Sequence, residues 1–230
     1  MLVSITLVRY PKMFVPLAFI AMAIHRLPLY FNTKCNFWKL LGCGKNGTFD
    51  VNPDFRQWGL LAVWQNKADF EEFHKNSFIA KWWKWFCNEQ SYILLEPTSA
   101  HGKWSGKEPF GNPRIKQPEG KVAVLTRATI RINRLKNFWK NVPPVASIMN
   151  KTKGFVSSIG IGEAPFFMQA TFSIWDSVED VVAFAYKDAE HAKVVKLTRD
   201  ENWYSEELFA RFIIIEVSGN LFKTQIHNKK

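Results

Sequence analysis

The sequence predicts an α+β fold in which two copies of one unit form a single barrel. Two observations carry this prediction. Three blocks of the first half recur in the second half in the same order. Each copy also follows the order β-α-β-β-α-β, the ferredoxin-like split βαβ arrangement. Two such sheets facing each other make an α+β barrel with an enclosed pocket.

The repeated blocks are separated by loop-sized changes in spacing. The matched pairs are Arg9 with Arg127 and Gly42 with Gly160 at an offset of 118, Trp64 with Trp175 at 111, and Tyr92–Glu96 with Phe212–Glu216 at 120. These offsets place seven extra residues after the Gly-x-Gly of the first copy. They place nine extra residues in the second copy, around Arg199 to Glu207.

Each copy contains the same elements in the same order. They are a strand (2–9; 122–131), a helix (about 12–27; about 135–149), a short apolar segment with a Gly-x-Gly bend, a strand ending in Trp (58–64; 169–175), a second helix, and a last strand (92–96; 212–217). The second helix follows N-cap residue types, Asn66 or Asp69 in the first copy and Asp176 or Ser177 in the second.

The repeats define the domain organisation. Residues 1–96 form the first ferredoxin-like repeat and residues 121–230 the second. The Pro/Gly/Lys-rich stretch 97–120 between them is predicted to be an ordered crossover linker, so the chain makes one compact domain.

The charge is strongly positive but diffuse. The net charge is +11 and the pI is about 9.6, with Lys and Arg spread along the chain. Because no basic arm, zinc finger or RNA-recognition signature is present, nucleic acid is not expected as a partner. A membrane surface or an acidic electron-transfer partner fits this charge better. Ten Trp and twenty Phe suit either an aromatic core or a pocket for an apolar ligand.

The first apolar run and the cysteines bear on localisation. Met13 to Ile24 is apolar but interrupted by Pro, so we expect a buried helix rather than a signal peptide. Cys35, Cys43 and Cys87 form no pairing or metal spacing. An odd count of thiols fits a reducing cytosol, so we expect a cytoplasmic protein, with peripheral membrane attachment left open.

His191 is the histidine that stands out. The chain has no P-loop, Rossmann fingerprint, HExxH motif or nucleophile elbow. In the repeat, His191 corresponds to Ala80, so only one copy carries an imidazole there. Neutral imidazole is a common axial haem ligand. A histidine that caps the helix or faces solvent is the alternative.

The nine-residue excess is the second asymmetry between the copies. It follows the helix of His191 and brings charged and aromatic groups together. Glu206 or Glu207 could orient a histidine, and Arg199 could pair with a propionate or a polarised oxygen. Alternatively, the segment is a surface loop fixed by Trp203.

Several long stretches resemble the spheroidene monooxygenase family of the carotenoid pathway of purple bacteria. They are Val122–Arg131, Phe138–Trp139 followed by Val142–Pro143, Ile159–Glu163, Gln169–Trp175, His191 and Trp203–Phe212, with Phe37–Gly44 and Gly102–Gly106 in the first copy. The resemblance covers nearly the whole chain and is strongest from 122 to 212. The first helix, the crossover loop and the N-terminus depart from the family pattern, which leaves the substrate less defined than the cofactor.

The resemblance implies a haem-dependent monooxygenase that uses O2 and reduced ferredoxin to introduce keto groups into an acyclic carotenoid. His191 matches the family histidine and is predicted to ligate the haem iron, in the second repeat. Phe172, Trp175 and Trp203 are predicted to contact the haem, and Arg199 and Glu207 to be catalytic. The apolar pocket would also include Phe166 and Phe167. A homo-oligomer is left open.

Two other functions remain alternatives at this stage. A haem-binding barrel protein without oxygenase turnover would share the cofactor but yield no oxidised product. A cofactor-free barrel that binds a small apolar ligand would show no haem absorbance.

Overall fold

The computed structural model describes residues 1–45, 52–116, 119–164, 166–187 and 189–222. Within the helices it leaves undescribed the side chains of 142–143, 145–146, 186–187, 189–193 and 195. Part of the loop that holds the extra residues of the first copy therefore lies outside the described residues.

Each half contains four strands and the helices that cover them. The first half comprises β1 (Leu2–Arg9), α1 (Val15–Ile24), α2 (Arg26–Tyr30), β2 (Cys35–Gly44), β3 (Pro53–Trp64), α3 (Lys67–Asn76), α4 (Phe78–Phe86) and β4 (Glu89–Gly102). The second half comprises β5 (Val122–Ile130), α5 (Leu135–Lys151), β6 (Phe155–Ala164), β7 (Met168–Trp175), α6 (Val178–Lys187), α7 (Ala189–Asp200) and β8 (Tyr204–Ser218). Short 3-10 turns precede α1 and α5.

The eight strands form one closed antiparallel barrel, in the order β1-β3-β2-β6-β7-β5-β8-β4. The predicted α+β barrel of two ferredoxin-like repeats is therefore confirmed. If each strand is replaced by its counterpart in the other half (β1 by β5, β2 by β6, β3 by β7 and β4 by β8), the same cyclic order is obtained in reverse. The two halves are therefore related by a pseudo-twofold axis perpendicular to the barrel axis. Equivalent strands of the two halves run in opposite directions along the barrel.

Two layers of apolar side chains hold the fold together. Alternate residues of every strand fill the barrel interior, including Ile5, Leu61, Leu125, Phe172 and Phe212. The opposite faces of the strands pack beneath the helices, in separate clusters for the first and second halves. The aromatic surplus of the sequence is therefore largely core.

The helix starts agree with the predicted N-caps. The Asn66 side chain accepts a hydrogen bond from the backbone N–H of Asp69, at 3.0 Å. In the second half, Ser177 Oγ accepts from the backbone N–H of Asp180, at 3.1 Å. These bonds satisfy N–H groups that lack a partner within the helix.

Strand pairing confirms the Trp64 to Trp175 match and corrects the other two offsets. Leu2 and Cys35 lie opposite Trp64, while Val122 and Phe155 lie opposite Trp175. The first two strands of each half are therefore related by 120 residues. The last strands are related by 117, because Arg9 pairs with Glu89 and its counterpart Thr129 pairs with Glu206.

These register errors have a physical origin. A two-residue slip in a strand leaves every side chain on the same face, so alternation of apolar residues cannot reveal it. The segment from Tyr92 and its predicted match from Phe212 are apolar at consecutive positions, so no alternation fixes their register. With the corrected register, the first copy has nine extra residues before β3 instead of seven, the difference between offsets of 120 and 111. The second copy has six extra residues before β8 instead of nine, the difference between offsets of 117 and 111.

The crossover begins later than predicted. Strand β4 continues through Pro97 to Gly102 and pairs with β8 along this extension. His101 therefore lies in a strand, where its ring stacks on Phe209. The following loop folds over one end of the barrel.

Candidate functional site

The predicted metal ligand His191 lies in the first turn of α7. Helices α4 and α7 begin at Phe78 and Ala189, so the offset of 111 holds and His191 takes the backbone position of Ala80. Ala80 is buried. The His191 side chain lies outside the described residues.

Trp203 is a packing residue next to α7. Its side chain is 1% exposed and packs with Ile130 and Phe138, against Val194 and Leu197 of α7. The indole Nε1 donates to Glu201 at 2.8 Å. These contacts fix the chain beside α7, and the contact of Trp203 with haem stays a prediction.

Arg199 and Glu207, the predicted catalytic pair, are both exposed. Arg199 lies in the last turn of α7. Glu207 projects from the face of β8 opposite to the barrel interior. Burial, with a smaller contribution from the Glu207 carboxylate, raises the pKa of Tyr204. Arg199 is therefore open to a ligand at the end of the His191 helix, whereas Glu207 lies away from the interior.

Phe172 and Trp175 lie on opposite faces of β7 and do not line one pocket. Phe172 points into the barrel. Trp175 lies beneath α6, where its ring packs against Phe155 and Phe184. Because they are three residues apart in a strand, their side chains must diverge. The proposed lining residues Phe166 and Phe167 are partly exposed in the turn before β7.

A buried ion network occupies the end of the barrel beneath the crossover loop. Arg127, 2% exposed, extends from β5 into the interior and pairs with Glu206 of β8 and, at 3.5 Å, with Glu163 of β6. Lys39 of β2 pairs with Glu163 at 2.5 Å. Two cations thus balance two carboxylates.

The crossover loop covers this network at the end of the barrel. The Trp104 ring lies 5.5 Å from the Arg127 guanidinium carbon, and its Nε1 donates to Glu163 at 2.7 Å. The backbone N–H groups of Ser105 and Gly106 donate to Glu206 at 2.9 and 2.7 Å. Burial alone raises the pKa of Glu206, but these N–H groups and Arg127 outweigh it and lower the pKa.

The sequence did not reveal Arg127 as a site residue because the two-residue slip matched it with Arg9. In the corrected register, Arg127 corresponds to Leu7 and Glu163 to Cys43. Both first-half residues are buried and apolar in character. The ion network is therefore a further asymmetry between the halves. A cation and a carboxylate at inward-facing strand positions are the signal that identifies it.

His25 is a second buried polar group. It lies between α1 and α2, 2% exposed, and its Nε2 has no hydrogen-bond partner among the described atoms. The rings of Phe78, Trp82 and Trp83 surround it at centroid distances of 5.6–6.2 Å. Burial lowers the pKa of His25 to about 4, so the imidazole is neutral near pH 7.

The described part of the chain shows no clustered metal site, and burial raises the pKa of all three cysteine thiols. Burial raises the pKa of Cys35 to about 11 and that of Cys43 to about 12, so neither thiol is a ready nucleophile. Within the described ranges no three His, Cys, Asp or Glu residues group as metal ligands.

Sequence identity to known proteins assigns this chain to a family. A spheroidene monooxygenase from Rhodobacter capsulatus is 35% identical over 201 residues, which cover 86% of this chain and 83% of that protein. The chain belongs to the spheroidene monooxygenase family. The family member from Cereibacter sphaeroides is 36% identical over 86% of this chain, and this chain spans 61% of its length.

Two further comparisons describe the halves and the fold. The family profile described as "Domain of unknown function (DUF3291)" matches residues 121–214, within the second repeat. A crystal structure of aldoxime dehydratase superposes with a TM-score of 0.58 and 8% sequence identity, covering 94% of this chain and 81% of that one. At that identity the likeness supports the barrel fold alone.

Proposed function

We propose that this chain is a haem-dependent monooxygenase that introduces keto groups into an acyclic carotenoid or a similar apolar substrate. The observation that carries the proposal is the 34–36% identity, over 80–86% of the chain, to three proteins named spheroidene monooxygenase. The three free thiols agree with a cytoplasmic enzyme.

His191 is the residue we assign to the haem iron. The donor chemistry fits, since a neutral imidazole is a common axial ligand. The backbone position also fits, because its counterpart Ala80 is buried by helix packing, which is where a cofactor would be shielded from water. Arg199, exposed two turns further along α7, is the cation we assign to a haem propionate. Bound haem would supply the site for O2 activation.

The overall reaction defines the co-reactants. One oxygen atom of O2 enters a C–H bond, and the other leaves as water after uptake of two electrons and two protons. A second turnover at the same carbon gives a geminal diol, which loses water to form the ketone. A ferredoxin-type donor is the proposed source of electrons.

The test begins with the absorption spectrum of the purified protein after addition of haemin. We expect a Soret band that His191→Ala abolishes and that the control His74→Ala retains. His74 is the matched control because it lies in α3 of the first half, where its ring stacks on Phe70. No band, or a band unchanged in His191→Ala, rejects the assignment.

Turnover is then measured with an acyclic carotenoid, O2 and reduced ferredoxin. A product heavier by a keto oxygen supports the oxygenase. A retained Soret band with no product across acyclic carotenoids would instead identify a haem-binding protein without oxygenase activity.

A further inference from the structure

The outer surface of the first half carries large apolar side chains that face solvent, most of them on its helices or next to them. The residues of this apolar face are Met13, Phe19, Ile20, Leu27, Tyr30, Phe31, Phe55, Phe78 and Trp85, each about half exposed or more. Leu27, Tyr30 and Phe31 are 65%, 76% and 73% exposed. An exposed surface of this composition marks an interaction site.

The second half provides an internal comparison. Helix α5 takes the place of α1 after the first strand of its repeat, and the exposed ones among its described side chains are mostly polar, including Lys136, Asn137, Lys140 and Ser147. The two helices share a fold position, but their described side chains present different chemistry to the outside. Packing against the barrel therefore does not account for the apolar outer side of α1.

Contacts between the helices make the apolar face continuous. Phe86, at the end of α4, packs on Phe14 before α1, with ring centroids 5.5 Å apart. The ring centroids of Phe78, at the start of α4, and His25, just after α1, are 6.2 Å apart. Helix α4 thus runs antiparallel beside α1, and both outer sides belong to one surface.

The surroundings of the apolar face are basic. Residues 1–49 contain no Asp or Glu, and neither does α4. Lys12, Arg26, Lys81 and Lys84 are exposed around the face. No carboxylate among the described residues forms an ion pair with any of the four. Apolar side chains rimmed by cations complement the acyl boundary and the anionic headgroups of a lipid bilayer.

Helix α1 lies against the barrel along its length. This packing determines how the helix can face a membrane. The helical stretch Lys12–Tyr30 is long and apolar enough to cross a bilayer by length and composition. However, Ala18, Ala21, His25 and Leu29 are buried against the rest of the first half. We propose that the apolar face docks in the plane of an anionic bilayer surface, with α1 parallel to the membrane.

This inference does not depend on haem or turnover. Vesicle binding can fail while the proposed function stands, and the reverse also holds. If both hold, docking brings the barrel to the phase in which an apolar carotenoid dissolves.

The test is flotation of the purified chain with vesicles of phosphatidylcholine and phosphatidylglycerol, compared with phosphatidylcholine alone. We expect binding to the anionic vesicles and weaker binding to the neutral ones. Leu27→Ser/Tyr30→Ser should weaken partition by about tenfold or more, because two exposed apolar side chains are lost from the interface.

Matched control variants distinguish vesicle binding through the apolar face from nonspecific adsorption. Ile132→Ser/Ile215→Ser removes two exposed apolar side chains of the second half and should leave binding unchanged. Lys81→Gln/Lys84→Gln should reduce binding to anionic vesicles, whereas Lys136→Gln/Lys140→Gln should have little effect. Equal losses in both halves, or no binding to anionic vesicles, overturn the proposal.

Two other results would also overturn it. Resistance to alkaline extraction together with protease protection of residues around Lys12 would show a spanning helix. A lipid-free oligomer that Leu27→Ser/Tyr30→Ser converts to monomer, with no vesicle binding by wild type, would assign the face to a second copy of the chain. Light scattering after size exclusion measures the latter.

Discussion

Arg127 shows what a single charged residue requires inside a barrel. Removing a guanidinium from water is costly unless carboxylates and hydrogen bonds replace the lost hydration. Glu206 and Glu163 supply the charges, and the Trp104 ring covers the guanidinium. Within this network, the buried Arg127 Nε has no hydrogen-bond partner among the described atoms. The network therefore depends on residues of both halves and of the crossover loop.

Glu206→Gln should lower the free energy of unfolding by about 3 kcal/mol, because it leaves the buried Arg127 with Glu163 as its remaining carboxylate partner. Glu207→Gln, one residue along β8 and exposed, should change it by less than about 0.5 kcal/mol. Chemical denaturation followed by Trp fluorescence measures both. Equal effects of the two substitutions would contradict a buried role for Glu206.

At the scale of elements, the two halves are joined by two strand pairs of unequal length. Strands β4 and β8 pair over most of their length, whereas β2 and β6 pair through Gly42–Gly162 and Cys43–Ile161 in the described residues. The two glycines are counterparts in the corrected register and lie opposite each other in this short β2–β6 pairing. Their surroundings differ, because β6 leads into a much tighter connection than β2.

Gly162→Ala should destabilise the fold by about 1–3 kcal/mol, since a Cβ there would lie 2.7 Å from the Met168 carbonyl oxygen and the backbone would have to shift. Gly42→Ala is the matched control. Its Cβ would find its nearest neighbour at 3.8 Å, so stability should change by less than about 1 kcal/mol. Thermal unfolding followed by circular dichroism compares them, and a Gly42→Ala variant that is the less stable of the two would refute the close approach at Gly162.

At the scale of the molecule, the interior of the barrel is one core shared by both halves. Strands of each half contribute inward-facing side chains to it, and Trp104 and Phe110 of the crossover add two more. Neither half can bury its inner sheet face without the other. A barrel closed in this way also leaves no free sheet edges.

The second repeat expressed alone, residues 121–230, should therefore not persist as a folded monomer. Its inner face, with Leu125, Phe172 and Phe212, would be exposed to water and drive self-association. Light scattering should show oligomers or aggregates, and co-expression with residues 1–120 should restore a soluble one-to-one complex. A monodisperse, cooperatively unfolding monomer of 121–230 would show that the halves are independent.

Much of this organisation was predictable, for identifiable reasons. The duplicated order of strands and helices followed from hydrophobic periods, and the second-helix N-caps from Asn66 and Ser177. The position of His191 against Ala80 followed from a block without insertions. The Arg127 network was missed because its partners come from β2, β6, β8 and a loop, all distant in sequence. Trp175 and Phe172 were assigned to one pocket although strand geometry separates them.

The sequence by itself determined the repeat, the α+β class and the family, because these depend on local periodicity and on long runs of similar residues. Only the tertiary structure decided the strand register, since a slip by two preserves every apolar alternation and the consecutive apolar residues of the last strands show no alternation. It also decided that α1, expected to be buried, exposes one apolar side to solvent. Burial is set by which neighbours a helix finds, and on that side the contacts of Phe19 with Phe55 and Trp58 leave most of α1 uncovered among the described residues.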